Sequence, residues 1–306
     1  MGGFFIQQYF KFSVLSIVCG INFAYSFKHT KTKLMKTRNL ILAAAATFAF
    51  FSFTKQETPQ VEATDNTPAL RNINNTAFKA GEQLEYRLHY GVINAGTAKL
   101  EVKNLGQKIA GRDIYHIVGS GKTKGAFDWF FKVRDRYETF LDVDGVFPWA
   151  FKRDVNEGGY KIKQSYKFAQ SKNKVNNGEG KSFETPNGIQ DMLSAFYYAR
   201  AIDYSKAKKG EVFTIWSFVD DEIWPLRIRY LGKDQIKVSG DTYKALKFCP
   251  VVQEGRLFEN EDDVAVWISD DKNKIPLLAQ GKVLIGSVKM ELTKARGLAN
   301  PSAKID

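Results

Sequence analysis

The sequence predicts a mainly β fold: two related antiparallel β halves forming a curved sandwich or barrel-like body, with one principal helix between them. Three observations lead there. Apolar and polar residues alternate with a period of two in segment after segment, the mark of half-buried strands. Only one segment, Gly188–Ala201, spaces its apolar residues by three and four. Short motifs of the first half recur in the second at a nearly constant offset. A chain of 306 residues, 44% hydrophobic and 14% aromatic, has ample material for a core. Its two cysteines, Cys19 and Cys249, exclude a disulfide-stapled miniprotein.

The order of segments starts with export. Met35-Lys36-Thr37-Arg38-Asn39 is a short positive stretch and Leu40–Phe53 is uncharged and largely apolar, the pattern of a secretory signal. That run is shorter than the ~20 residues that span a bilayer as a helix, so cleavage is expected to leave no stable transmembrane span. Phe12–Phe27 is a second apolar stretch, and two signals in series make little physical sense. Met35 is therefore read as the initiator, residues 1–55 as upstream extension plus export signal, and the mature protein as periplasmic. Residues 56–77, polar and carrying Pro59 and Pro68, read as a flexible tether. Residues 78–298 form a single β-rich domain with halves 78–170 and 208–296, followed by a tail, 299–306.

Within the domain, Leu84, Tyr86, Leu88 and Tyr90 alternate with polar residues, and Ala98, Leu100 and Val102 resume the alternation after Gly91, Asn94 and Gly96, which predicts a hairpin or bulged pair. Further strands are expected at Tyr115–Val118, Phe130–Asp142, Trp149–Val155 and Tyr160–Phe168. In the helix, Ile189, Met192, Leu193, Phe196, Tyr197 and Arg200 share a face, and Asp191 falls in the first turn, where an acid suits the helix dipole. Strands resume at Phe213–Val219, Leu226–Tyr230, Gln235–Val238, Ala245–Val252 and Val264–Ser269, and close around Leu277–Leu284 and Val288–Thr293. Cys249 reads as a buried strand residue.

The internal match rests on three places. Lys79-Ala80-Gly81-Glu82-Gln83-Leu84 is echoed by Lys208-Lys209-Gly210-Glu211-Val212-Phe213, and Gly111 by Gly240, both at an offset of 129; Pro148 and Pro276 follow similar segments at 128. Two such halves each leave one apolar face that closure against the other buries.

The set Gly81-Glu82-x-Leu84-x-Tyr86, Ala95-Gly96-x-Ala98, Arg134-Asp135-Arg136-Tyr137-Glu138, Asp191-x-x-Ser194-Ala195-Phe196-Tyr197-Tyr198-x-Arg200 and Trp267-Ile268-Ser269-Asp270-Asp271-x4-Pro276 resembles the family known as domain of unknown function 3108, over roughly Phe78 to Leu298. The resemblance implies export in bacteria with two membranes and a β architecture. It implies no catalytic residues.

Charge and motifs narrow the function classes. The formal charge of +12 overstates the body, because residues 1–55 hold seven bases and no acid. No basic stripe interleaved with aromatics or known nucleic-acid module occurs, so nucleic acid is excluded as the expected partner. His89 and His116 lack companions at metal spacing, the acidic pairs Asp262-Asp263 and Asp270-Asp271 lack a calcium-loop pattern, and no Gly-x-Ser-x-Gly, Walker or dinucleotide motif is present, so neither metal nor cofactor is expected. In Arg134–Glu138 the charged residues Arg134, Arg136 and Glu138 share one face, while Asp135 points the other way, where a buried carboxylate needs a partner.

Aromatic residues exceed what a single-faced sheet needs. Trp129, Phe131, Met192, Phe196, Tyr197, Trp216, Trp224 and Trp267 are the expected lining of a space between the halves, with the helix as lid or wall. The expected protein is a non-enzymatic envelope protein binding an apolar or amphipathic ligand such as lipid. An assembly module binding another envelope protein is the alternative, and a hydrolase of envelope polymers using Asp135, Glu138 and Asp191 is the third.

Overall fold

A computed structural model describes residues 70–251, 264–282 and 287–305. The export signal, Cys19, most of the tether and Asp262-Asp263 lie outside the described residues. The strands of the first half are β1 (Gln83–Tyr90), β2 (Ile93–Ile109), β3 (Arg112–Thr123), β4 (Arg134–Asp142), β5 (Pro148–Glu157), β6 (Tyr160–Ala169), β7 (Lys174–Asn176) and β8 (Ser182–Glu184). Those of the second are β9 (Val212–Val219), β10 (Glu222–Val238), β11 (Asp241–Pro250), β12 (Val264–Ser269), β13 (Pro276–Lys282), β14 (Ser287–Arg296) and β15 (Lys304–Ile305). Two α-helices join them, α1 (Ala126–Phe130) and α2 (Met192–Ala201). No helix among the described residues is long and apolar enough to cross a membrane.

All the strands lie in one antiparallel sheet, ordered β8 to β1, then β14 to β9, with β15 paired to β11. The first and last long strands therefore meet in the middle, β1 against β14. Among the described residues the sheet does not close by strand pairing. Its two edges are instead bridged by side chains and by the segment before α2. Gln190 N donates to Trp216 O and Phe218 N to Gln190 O, at 2.9 and 2.7 Å, so one residue extends the β9 edge. Phe183 of β8 packs on Phe218 of β9 with ring centroids 5.1 Å apart. The β9–β10 turn, with Asp220 and Asp221 at positive φ, reaches across: Asp220 pairs with Arg153, and Asp221 accepts from Asn177 and from Tyr166 Oη. These contacts cover edges that would otherwise invite pairing with another chain.

Strand lengths run in parallel through the two halves. β1 and β2 have 8 and 17 residues, as do β9 and β10, which start 129 residues later. The core lies on the face shared by Leu84, Leu100, Ile117, Tyr137, Phe151 and Tyr166, with Met192, Leu193 and Tyr197 of α2 pressed against it.

The sequence expectation needs four corrections. Leu226–Tyr230 and Gln235–Val238 belong to one strand, β10, because a register shift between Tyr230 and Gly232 absorbs the glycine instead of breaking the ladder. The strand expected from Phe130 starts at Arg134, since α1 occupies Ala126–Phe130. The tail pairs its Lys304–Ile305 with Tyr243 and Thr242 of β11. The last part of the tether, residues 70–77, is packed against the body: Arg71 donates to Gly145 O and Val146 O at 2.7 Å and stacks over the Tyr198 ring, and Ala77 is buried.

Candidate functional site

Two buried clusters and one open cleft gather most of the polar residues that the sequence singled out. The first cluster explains the helix motif. Asp191 is the N-cap of α2: its Oδ1 accepts from Leu193 N and Ser194 N at 2.7 and 2.8 Å, its Oδ2 accepts from Thr139 Oγ1 at 2.6 Å, and Ser194 Oγ accepts from Asp191 N in return. Burial pushes the Asp191 carboxyl up to about 6 despite the four hydrogen bonds that hold it down. Its oxygens are committed to donors inside the protein, which removes it as a candidate for polymer hydrolysis.

At the other end of α2, Arg200 forms a bidentate pair with Glu82 at 2.6 and 2.7 Å, both side chains being fully buried. Arg200 Nε donates to Asn273 O at 3.0 Å and Nη2 to Ala77 O at 3.2 Å, while the Phe78 and Tyr197 rings flank the guanidinium. Asn273 is placed by the turn after β12: Asp271 Oδ1 accepts from Asn273 N, Lys274 N and Ser269 Oγ. Thus the Gly-Glu motif, the helix motif and the Trp-Ile-Ser-Asp-Asp motif, scattered along the chain, converge on one ion pair that ties α2 to both halves.

The second cluster lies inside the sheet below β1–β5. Cross-strand register aligns Tyr86, Ala98, Gly121 and Asp135 in a row. Ala98 and Gly121 are small, leaving a cavity of about 20 Å³ that Tyr86, Leu100, Asp135 and Tyr137 help to line, enough for about one water. Gly96, in the same motif as Ala98, has a close-approach role: a Cβ there would collide with Lys122 O. Asp135 Oδ1 accepts from Asn156 N at 3.1 Å, and its carboxyl lies beside that of buried Glu157. Burial first, and the neighbouring carboxylate second, raise Asp135 well above the usual carboxylate range. Glu138 stands on the opposite face, where it binds His116 Nε2 at 2.7 Å and Arg136 Nε at 2.9 Å. The sheet therefore separates Asp135 from Glu138.

Over the outward side chains of the same strands runs an open cleft of about 660 Å³. One cross-strand row sets Glu85, Lys99, Ser120, Arg136 and Asp154 side by side, and the next sets Thr97, Lys122 and Arg134. Lys124 lies at the end of the cleft. Lys99 is held by Glu101 at 2.8 Å and Arg136 by Glu138. Lys122 and Lys124 are exposed and make no ion pair with a described residue.

The eight expected lining residues do not surround one space. Met192, Phe196 and Tyr197 are buried in the main core, and Trp224 and Trp267 pack against its rim. Trp267 also donates from Nε1 to Asp234 at 2.8 Å and carries Lys247 over its ring. Trp216 is 46% exposed on β9 and Trp129 is 91% exposed on α1. The aromatic run Phe127–Phe131 is a helical turn, not a two-faced strand: Phe127 and Phe131, four apart, are both buried, while Trp129 between them points out. Asp128 fixes this turn by accepting from Arg134 at 2.7 and 2.8 Å and from Thr123 Oγ1 at 2.8 Å, and these bonds hold its carboxyl down at about 2. Glu157 and the cleft lysines were missed by sequence reasoning, because the face each strand turns outward is visible in the alternation but its neighbours across the sheet are not.

Among curated proteins nothing matches this chain. Among solved structures it is similar to a beta-barrel-like protein of domain of unknown function DUF1849 from Brucella abortus, at 11% identity and a TM-score of 0.45, over 71% of this chain and 97% of that one. It is also similar to a DUF1089 family protein from Pseudomonas aeruginosa, at 11% identity and a TM-score of 0.34, over 59% of this chain and 87% of that one. The stretch 85–293, which carries Asp135, the α2 motif and the Trp-Ile-Ser-Asp-Asp turn, matches the family described as Protein of unknown function (DUF3108), and the chain belongs to that family.

Proposed function

We propose that this chain is an exported cell-envelope protein that binds an anionic amphipathic molecule of the lipid class, with the headgroup in the cleft across β1–β5. The observation that carries the reading is the cleft itself: about 660 Å³, lined by Lys99, Lys122, Lys124, Arg134 and Arg136 against Glu85 and Asp154. The neighbouring acids neutralise three of the five cations only through partly exposed pairs, which an incoming anion can exchange at little cost. Export and a periplasmic location are read from the Met35–Phe53 signal pattern. The body is read as two related halves, supported by the matched strand lengths and the 129-residue offset. Met192, Phe196 and Tyr197 serve here as the packed support of the sheet.

Native mass spectrometry with lipid extraction, on protein recovered from its own envelope, tests the reading. A stoichiometric anionic lipid that is lost in the Lys99→Glu, Arg136→Glu variant is the expected result. A clean apo mass accompanied by a stoichiometric protein partner would overturn it in favour of an assembly module.

A further inference from the structure

We infer that the end of the sheet bearing the β1–β2 turn and α1 docks on an anionic lipid bilayer surface. The inference rests on the ligand reading above and extends it to a membrane; the tip adjoins the end of the cleft and shares Lys122 and Lys124 with it.

Three exposed apolar side chains stand at this end. Val92 is 98% exposed, Ile93 53% and Trp129 91%. The local geometry gives none of them a folding role. The β1–β2 turn needs Gly91, whose φ is 56°, but the following position accepts any polar residue, and a fully exposed Val there adds nothing to the hairpin. In α1 the buried face is already supplied by Phe127 and Phe131.

The turn and the helix are held side by side. Lys124 N donates to Ala95 O at 3.0 Å, and the Phe127 ring packs edge-on against Tyr90 at 5.9 Å. The α1 loop is tied in turn to the β5–β6 turn, where Gly158 N donates to Lys132 O at 2.9 Å and Tyr160 is half exposed. Ion pairing and ring packing thus fix α1 rigidly enough to hold Trp129 away from the body.

Charge around this tip selects the occupant. Lys124 and Lys132 are exposed in the segments flanking α1, and Lys122 at the end of β3 and Lys161 at the start of β6 are exposed beside them, whereas Asp128 is engaged by Arg134 and Thr123. A Trp and two β-branched residues inside a collar of lysines match the chemistry of a bilayer boundary, where indole sits at headgroup level and lysines meet anionic phosphates. A protein surface of the same size would meet four unneutralised lysines at its rim.

The test uses the full chain and a readout local to the tip, so that the Leu40–Phe53 segment does not decide it. Vesicles of phosphatidylglycerol and phosphatidylcholine in equal parts, with brominated acyl chains, should quench part of the tryptophan fluorescence. Trp129→Phe should remove that quenching while retaining binding. Val92→Ser together with Trp129→Ser should lower partitioning about tenfold, and Lys124→Glu with Lys132→Glu should lower it on these vesicles but not on phosphatidylcholine alone. Persistent quenching in Trp129→Phe, or unchanged partitioning in the serine variant, overturns the inference. So does a dimer in solution that the serine variant dissociates, since the tip would then be covered by a second copy. Lys99→Glu with Arg136→Glu separates the two readings: it should remove a lipid bound in the cleft and leave quenching at the tip intact.

Discussion

Two buried ionisable pairs in this protein are built in opposite senses. Arg200 and Glu82 carry unlike charges, meet in bidentate geometry, and have their remaining capacity taken up by Asn273 O and Ala77 O. Asp135 and Glu157 are two acids placed together, with a single backbone donor, Asn156 N, on the Asp135 carboxyl. Burial works against the charge of Arg200 as well, yet Glu82 more than offsets it and the guanidinium stays firmly protonated. For Asp135 burial and neighbour act in the same direction, both favouring the protonated carboxyl. Burial therefore yields a locked ion pair in one place and a group that gives up stability when it ionises in the other.

The largest effect is expected where the comparison is sharpest. Arg200→Ala strands a buried Glu82 and should lower the unfolding free energy by about 3–5 kcal/mol in urea titration. Replacing both partners, Arg200→Met with Glu82→Leu, should recover part of that loss. Should the double variant be as unstable as the single, the charge is not what the site depends on.

Asp191→Ala should lose about 1–3 kcal/mol, since it removes the α2 cap and leaves buried Thr139 Oγ1 with only its 3.4 Å contact to Ala150 O. Asp191→Asn, keeping the cap oxygen, should lose less.

Asp135→Asn should do the reverse and stabilise the protein by about 1–2 kcal/mol above neutral pH. The sign follows from the raised pKa: the folded state binds the proton more tightly than the unfolded chain. The contribution is complete below the ordinary carboxylate range, and is lost as pH rises through the raised value. Wild-type stability should therefore decline from mildly acid pH through neutrality more steeply than that of Asp135→Asn, measured by urea midpoints across pH. Parallel pH profiles would show that the two acids do not interact as inferred.

The smallest effect belongs to the exposed face. Arg136→Ala breaks a pair with Glu138 in which the arginine side chain is 50% exposed, and should change stability by less than about 1 kcal/mol. Its consequence should appear in ligand capture instead.

Much of the architecture was legible before any coordinates, because side-chain direction in a strand is a local property. The alternation Arg134 to Glu138 placed Asp135 inward and its charged neighbours outward, and the buried and exposed residues of β4 follow that pattern. The three- and four-residue spacing located α2 within a few residues, and Asp191 needed only the shift from first turn to cap. The strand expected from Phe130 starts too early because a five-residue helix is too short to establish its period against aromatic residues at four of the five positions from Phe127 to Phe131.

What the sequence by itself determined is therefore most of the long strands, the principal helix, the face those strands turn inward and the family. Only the tertiary structure decided which side chains meet. Arg200 finds Glu82 across 118 positions, β14 returns to β1, and Asp135 meets Glu157 from the next strand. It also decided that Trp129 faces solvent while Phe131 is buried. The physical reason is that alternation and capping depend on a residue's immediate neighbours, whereas a buried charge or an exposed tryptophan depends on what long-range pairing brings against it or leaves uncovered.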